Sequence, residues 1–176
     1  MRPGREAARA GGMDGTAQAN AAPVEVSLGA TATLIFLVAG KQFAVDLARV
    51  ERILDYRRPT RTPRRPPHVE GIIQHEGRYL PIMSLRKRLG VEGPGPANPA
   101  ILLLTGIGRD PVVGVVVDQV LHVLSLPPDR LLLPPPRVFG IRAEFIRGVA
   151  NAGGRPVVWL DESKLLTSAE AITLLA

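Results

Sequence analysis

The feature of this sequence that most constrains its fold is an internal repeat. Residues 71–89 and residues 148–166 align without a gap, 77 positions apart. Both stretches have the pattern of a strand, a tight turn, a second strand and a short helical turn. Gly77 and Gly154 occupy the same position in the turn, where glycine is free to adopt a positive φ. A repeated supersecondary unit predicts a duplicated architecture, so we expect two similar halves.

The composition is that of a globular protein without disulfide or thiol chemistry. The chain has 176 residues, enough for one ordinary domain or two small ones, and 45% of them are apolar. It contains no cysteine, which suits a reducing cytoplasm and excludes zinc-finger spacing. No apolar run approaches the roughly 18 residues of a membrane span, and the N-terminus lacks the apolar region of a secretory signal. We therefore expect a soluble, cytoplasmic protein without membrane insertion.

The first half of the chain predicts a hairpin, a short helix and a second hairpin. Residues 1–30 are rich in alanine and glycine without periodicity, and we expect them to be a disordered tail. Residues 34–47 contain two strand-length apolar runs around a turn with a glycine. Asp46 is a candidate helix cap, and Val50 and Leu54 follow at helical spacing until a run of prolines ends the helix.

The second half repeats this order, so the predicted fold is all-β with short helices. Glycines and prolines in residues 90–99 indicate a loop at the midpoint of the chain. We predict a small five-stranded barrel from residues 33–90, a second from residues 99–166, and a C-terminal helix over residues 168–175. Neither half alone buries much surface, so we expect the two barrels to pack on each other through an apolar interface.

The sequence contains no recognisable catalytic or metal-binding constellation. The histidines are spread along the chain without metal-ligand spacing: they are His68, His75 and His122. Asp118 and Asp161 are more typical of caps or turns than of acid–base catalysts. A hydrolase would need His75 and Ser84 to converge in one pocket, and the alternation of a strand gives little reason to expect that. We therefore predict that the chain is not an enzyme and binds no cofactor.

The net charge of +6 is concentrated in one segment. Residues 49–65 hold seven arginines against Glu51 and Asp55. The Arg/Pro-rich connector over residues 57–67 therefore supports an alternative function, a nucleic-acid-binding double barrel whose arginines contact phosphates. Tyr56 is the only nearby aromatic residue, so base-stacking platforms are lacking. The other interpretation of the connector is a solvated loop or a contact with an acidic protein.

Four stretches of the chain, taken in order, resemble the CheW-like family. They are residues 34–53, 68–85, 113–126 and 145–166, and the resemblance as a whole covers about residues 33–175. It implies two SH3-like five-stranded barrels that flank a shared hydrophobic core, and a non-enzymatic adaptor. Such proteins couple chemoreceptors, the methyl-accepting chemotaxis proteins, to a CheA-type histidine kinase in signalling arrays. The kinase's regulatory domain is similar, so the resemblance implies barrel-end contacts with the kinase, and a receptor tip bound in the groove between the barrels.

The resemblance also implies a set of partner-binding residues, two of which reverse the charge that the family usually has. The set joins the segment after the first hairpin to the turn of the second: it is Val50, Arg52, Leu54, His75, Glu76 and Gly77. The family often has glutamate at the position of Arg52 and usually has arginine at the position of Glu76. This double reversal predicts a swapped ion pair between Arg52 and Glu76, and an adaptor specialised for a receptor of complementary charge.

Overall fold

The computed structural model describes residues 29–107 and 110–166 together with Glu170. Its two large sheets have five strands each and its helices are short, which confirms the predicted all-β class. Each sheet corresponds to an SH3-like barrel that is not fully closed, since the strands at its two edges do not pair with each other. Apart from Gly29, Ala30 and Glu170, the predicted N-terminal tail and C-terminal helix lie outside the described residues.

Each half of the chain contributes five strands of similar length to the two large sheets, and the second half adds a pair of two-residue strands. The first half contains β1 (Thr31–Val38), β2 (Lys41–Asp46), β3 (Val50–Asp55), β4 (Val69–His75), β5 (Arg78–Ser84) and α1 (Leu85–Leu89). The second half contains β6 (Ala100–Ile107), β7 (Asp110–Val117), β8 (Gln119–Leu126), β9 (Arg137–Val138), β10 (Ile141–Arg142), β11 (Ile146–Ala152) and β12 (Arg155–Leu160). Short 3-10 turns lie at Leu47–Arg49, Pro128–Arg130, Ala143–Phe145 and Glu162–Lys164.

The two halves exchange strands. The first sheet has the order β11-β12-β2-β1-β8, and the second has the order β3-β6-β7-β5-β4. Each sheet therefore combines both halves, which corrects the predicted division into one barrel over residues 33–90 and another over residues 99–166. The exchange depends on two parallel pairings, β2 with β12 and β5 with β7. Parallel neighbours cannot be joined by a tight turn, so their pairing leaves no local signal in the sequence.

A shared apolar core joins the two sheets, as predicted. Leu34 and Phe36 of β1 belong to this core, and Leu102 of β6 joins it from the other sheet. The neighbouring side chains in each of these strands face the opposite way, because successive side chains of a strand alternate between its two faces. Ile35 lies in a smaller cluster of the first sheet, and Ile101 lies in a smaller cluster of the second. Both faces of β1 and β6 are thus buried, which explains their continuous apolar runs.

The helix predicted after Asp46 is wrong. Asp46 does accept a hydrogen bond from a nearby backbone N–H, but it caps only the 3-10 turn Leu47–Arg49. The chain then continues as β3, which pairs with β6. A spacing of four residues fits the period of a helix and also the two-residue period of a strand, so the pattern alone does not separate the two. In the strand, a register shift between Val50 and Arg52 puts Val50 and Leu54 on opposite faces. Val50 and Ile53 are β-branched, which favours the strand.

The two hairpins of the repeat share their irregularities, which confirms that they are equivalent. Their pairing registers shift at matching places: between Val69 and Gly71, and between Ile146 and Gly148. A preceding segment bridges the outer strand in both copies: Thr60 pairs with Ile72, and Leu132 pairs with Val149. Ser84 caps α1, and Asp161 caps the matching 3-10 turn, so Asp161 is a cap as predicted.

One carboxylate is buried after the second of these hairpins. Glu162 is 2% exposed, and its Oε1 accepts a hydrogen bond from the backbone N–H of Asp46 at 2.6 Å. Its Oε2 lies 3.5 Å from a guanidinium nitrogen of Arg147. Burial raises the pKa of Glu162 above its ordinary value, more than these hydrogen-bond and charge contacts lower it.

We expect Glu162 to make the fold less stable as pH rises. Because its pKa is raised in the folded state, the folded chain holds this proton to a higher pH than the unfolded chain does. The Glu162 contribution to stability is therefore present below its ordinary pKa of 4.5 and is lost as pH rises through the higher folded value. Glu162→Gln keeps an acceptor for the Asp46 N–H and removes this titration.

Denaturant unfolding of the wild type and of Glu162→Gln between about pH 4 and 8 measures this effect. The free energy of unfolding of Glu162→Gln, relative to the wild type, should rise with pH. His68 titrates with the opposite sign, since burial lowers its pKa, but it is present in both chains and cancels in the difference. A difference that is constant across the pH range would contradict the prediction.

Candidate functional site

The turn between β4 and β5 holds two of the candidate residues in left-handed backbone conformations. Glu76 has a φ of 49° and Gly77 has a φ of 76°. Two consecutive positive φ values are typical of the tight turn whose twist matches antiparallel strands. Glycine adopts this conformation freely, which is the predicted role of Gly77, whereas glutamate rarely does. In the second copy Gly153 takes the place of Glu76, so Glu76 adopts a left-handed conformation for which the other hairpin uses glycine.

The carboxylate of Glu76 forms an ion pair with β3. Its Oε1 lies 2.7 Å from Nη1 of Arg52, which confirms the predicted swapped pair. A second pair joins Arg78 of β5 to Glu51 of β3, also at 2.7 Å. The two pairs have opposite polarity, because β3 contributes one acid and one base and the hairpin contributes the complements. Both pairs lie at the surface, and the side chains of Arg52 and Glu76 are 52% and 54% exposed.

These ion pairs connect the two ends of the second sheet. β3 and β4 are its edge strands, and no backbone pairing joins them. We refer to Glu51, Arg52, Glu76 and Arg78 as the charged seam. Arg57 extends the connection, since it donates a hydrogen bond of 2.6 Å to a backbone carbonyl of β4. Side chains thus bridge the gap that the open barrel leaves between its edges.

Among the described residues, the equivalent edges of the first sheet lack these ion pairs, although Arg155 stands at the position of Arg78. At the offset of 70 residues that relates β8 to β3, His122 stands at the position of Arg52, and at the 77-residue offset of the hairpins Gly153 stands at the position of Glu76. Between β8 and β11 lies an open cavity of about 230 Å³, whose lining includes Leu124. The duplicated fold therefore has charged pairs at one of two equivalent places, so the charged seam is specific to the second sheet.

Val50 and Leu54 are packing residues rather than surface residues. Val50 packs against the shared core, and Leu54 packs against the smaller cluster of the second sheet. The side chain of His75 is 15% exposed, and its Nε2 lies 3.8 Å from Oε1 of Glu76. The structure thus brings Arg52, His75 and Glu76 together. Val50 and Leu54 do not belong to the surface that these three side chains form.

None of the seven exposed large apolar residues in the described part of the chain was among the candidates, and four of them lie next to the charged seam or after β8. Ile53 and Tyr79 directly follow members of the charged seam in the chain, and they are 44% and 66% exposed. Leu132 and Leu133 lie in the Pro-rich segment after β8, at 72% and 89% exposure. The signal that could have identified these two leucines is an apolar run next to prolines, which limit it to the single bridge with Val149 instead of a full strand.

The hydrolase alternative lacks its geometry. His75 lies at the turn of the hairpin, whereas Ser84 lies at the far end of β5. The Ser84 hydroxyl instead caps α1 by accepting a hydrogen bond from the backbone N–H of Lys87. Within the described part of the chain, no group of three or more His, Cys, Asp or Glu side chains could hold a metal ion. No helix among the same residues has the length and apolar character that crossing a bilayer requires.

Comparison with known proteins identifies the family. The sequence model of the CheW-like domain matches residues 32–170. The chemotaxis protein CheW of Klebsiella aerogenes is 29% identical over 137 residues, which cover 78% of this chain and 82% of that protein. Protein FrzA of Myxococcus xanthus is 32% identical over 136 residues, which cover 76% of this chain and 84% of that protein.

The fold has a solved counterpart as well. The crystal structure of the scaffolding protein TtCheW from Thermoanaerobacter tengcongensis matches with a TM-score of 0.73, covering 80% of this chain and 90% of that one. Its sequence identity is 22%, so it supports the architecture of the two sheets. Together with the match over residues 32–170, these findings show that the chain belongs to the CheW-like domain family.

Proposed function

We propose that this chain is a non-enzymatic adaptor that couples chemoreceptors to a CheA-type histidine kinase in a cytoplasmic signalling array. Membership of the CheW-like domain family supports the proposal. The observation that carries it for this chain is the charged seam, in which two ion pairs of 2.7 Å lie on an edge strand with little burial. Such a surface can select a partner by its pattern of charge.

The surface offers two kinds of contact. In this proposal the receptor tip meets the charged seam, because Arg52 and Glu76 are the residues at which the chain reverses the family's polarity. The regulatory domain of the kinase meets an apolar patch at the other sheet, where Leu132 and Leu133 are more exposed than any other large apolar residue described. Apolar area of this kind supplies affinity when a partner covers it, whereas the charges supply specificity.

The polarity of the seam can be reversed without breaking its ion pair. In the double variant Arg52→Glu/Glu76→Arg the pair re-forms with exchanged signs, so the free energy of unfolding should change by less than about 1 kcal/mol. Receptor affinity should change far more, because each receptor charge that met an opposite charge now meets a like one. We expect calorimetric titration to show at least about tenfold weaker binding to the chain's own receptor tip.

The single variants Arg52→Glu and Glu76→Arg are the matched controls. Each places like charges side by side and should cost about 1 kcal/mol of stability, which the double variant recovers. Receptors that bind adaptors of the usual family polarity should prefer the double variant to the wild type. Equal affinities of wild type and double variant across a panel of receptor tips would refute the role of the seam in partner selection.

The adaptor role itself is tested by affinity capture with the kinases of the chain's own organism. Immobilised wild-type protein should retain a CheA-type kinase, identified by mass spectrometry. The charge-swapped variant should retain it equally well, since the proposal assigns the kinase to the other sheet. Absence of a captured kinase with folded bait would overturn the proposal, whatever the receptor measurements show.

A further inference from the structure

The arginines of residues 49–65 fall into two groups in the structure. Each guanidinium of the first group contacts another part of the fold, through an ion pair, hydrogen bonds to backbone carbonyls, or packing on a glycine. The members of this group are Arg49, Arg52, Arg57 and Arg65. The second group is exposed: its members are Arg58, Arg61 and Arg64. Within the described part of the chain, no acidic side chain pairs with a member of this second group.

The three exposed arginines stand on a backbone that is held in place. Pro59 is buried, and Thr60 exchanges two backbone hydrogen bonds with Ile72, of 2.8 and 2.9 Å. At the other end Arg65 donates to the carbonyls of Thr62 and Val69, each at 2.9 Å. The connector is therefore pinned along the outer edge of β4. A partner that binds it meets arginines whose backbone is already ordered, which lowers the entropic cost of binding.

We propose that Arg58, Arg61 and Arg64 form a docking surface for an extended, acidic segment of a partner protein. They recur at every third position of the sequence, within a span that one short peptide can cover. The guanidinium group forms paired hydrogen bonds with a carboxylate, so the surface suits glutamate and aspartate side chains. It is separate from the charged seam, whose own arginines are already paired.

The chemistry of the connector favours an acidic protein over nucleic acid. Residues 57–67 contain no aromatic side chain, and binding of single strands depends on bases that stack on such side chains. The affinity of charge-driven DNA binding grows with the number of phosphates neutralised, and three arginines neutralise only about three. A few carboxylates on an extended peptide match three separate cations more closely.

Fluorescence anisotropy with the full chain tests the proposal. One probe is a labelled peptide of alternating glutamate and serine. A second probe, measured separately, is a labelled thymidine oligonucleotide with the same number of charges. The peptide should bind at low ionic strength and weaken as salt rises, because exposed charges are screened. The triple variant Arg58→Gln/Arg61→Gln/Arg64→Gln should bind the peptide at least about tenfold more weakly.

The matched control removes the same charge elsewhere. Arg130, Arg137 and Arg155 are also exposed, and their joint replacement by Gln should weaken peptide binding by less than about threefold. The melting temperatures of both triple variants should stay close to that of the wild type, since none of these side chains supports the fold. The proposal is overturned if the two triple variants lose equal affinity, if the connector variant binds like the wild type, or if the oligonucleotide binds as tightly as the peptide.

Discussion

Replacement of Gly71 by alanine should destabilise the fold by about 3–5 kcal/mol. Gly71 has a φ of 146°, and a Cβ atom at this position would lie 2.0 Å from the carbonyl oxygen of Thr60. That oxygen accepts a hydrogen bond from Ile72, so it cannot retreat without breaking the bridge between the connector and β4. The added methyl group therefore meets backbone rather than a flexible side chain. Urea unfolding followed by circular dichroism measures the loss.

The repeat supplies the control for this prediction. Gly148 occupies the same place in the second hairpin, but its φ is not in the left-handed region. The nearest atom to a Cβ there is a side-chain carbon of Leu131 at 3.0 Å. Gly148→Ala should therefore cost only about 1 kcal/mol. Equal losses for the two alanine variants would show that backbone contact with Thr60 is not the cause.

The second large effect is expected at Asp118. Its Oδ2 accepts hydrogen bonds from the backbone N–H of Ala39 at 2.7 Å and from the Arg86 guanidinium at 2.5 Å. The side chains of Asp118 and Arg86 are 12% and 27% exposed, so water replaces little of what is lost. Asp118→Ala leaves the Ala39 amide without its acceptor and Arg86 without its counter-ion, while Arg86 keeps its hydrogen bonds to the carbonyls of Gly93 and Pro94. The loss should cost about 3 kcal/mol.

A mutant cycle separates the ion pair from the hydrogen bond to Ala39. Asp118→Asn keeps an oxygen acceptor and should lose about half as much stability as Asp118→Ala. The double variant Arg86→Ala/Asp118→Ala should lose less than the sum of the single variants, because it leaves no unpaired charge. Strict additivity of the two alanine substitutions in the free energy of unfolding would contradict a direct coupling of these side chains.

Local chemistry made part of the structure predictable. The glycine of the turn identified the hairpin, because a two-residue turn needs positive φ values and Gly77 supplies one of them. The two reversed charges, at Arg52 and Glu76, predicted an ion pair, because opposite charges at neighbouring positions attract. In both cases the signal lies in the residues that carry out the role, and the observed distance of 2.7 Å confirms the pair.

The errors have equally local causes. The spacing of Val50 and Leu54 predicts a helix as readily as a strand, and only the pairing of β3 with β6 decides between the two structures. The division into two sequential barrels is wrong because β2 pairs with β12 of the other half. Nothing in the sequence of β2 shows that its second neighbour is β12 rather than a strand of its own half. The exposure of Leu132 has no signal in its own residue type, because an apolar side chain ordinarily predicts a place in the core.

The exchange of strands has a consequence for how the protein is made. When a ribosome has released the first half of the chain, β2 and β5 still lack their parallel neighbours β12 and β7. Neither sheet can be completed until the second half has emerged. Contacts between residues this far apart in sequence slow folding, and exposed strand edges invite pairing with other chains in the interval. We therefore expect the finished molecule to unfold as a single cooperative unit, although its sequence has the pattern of two.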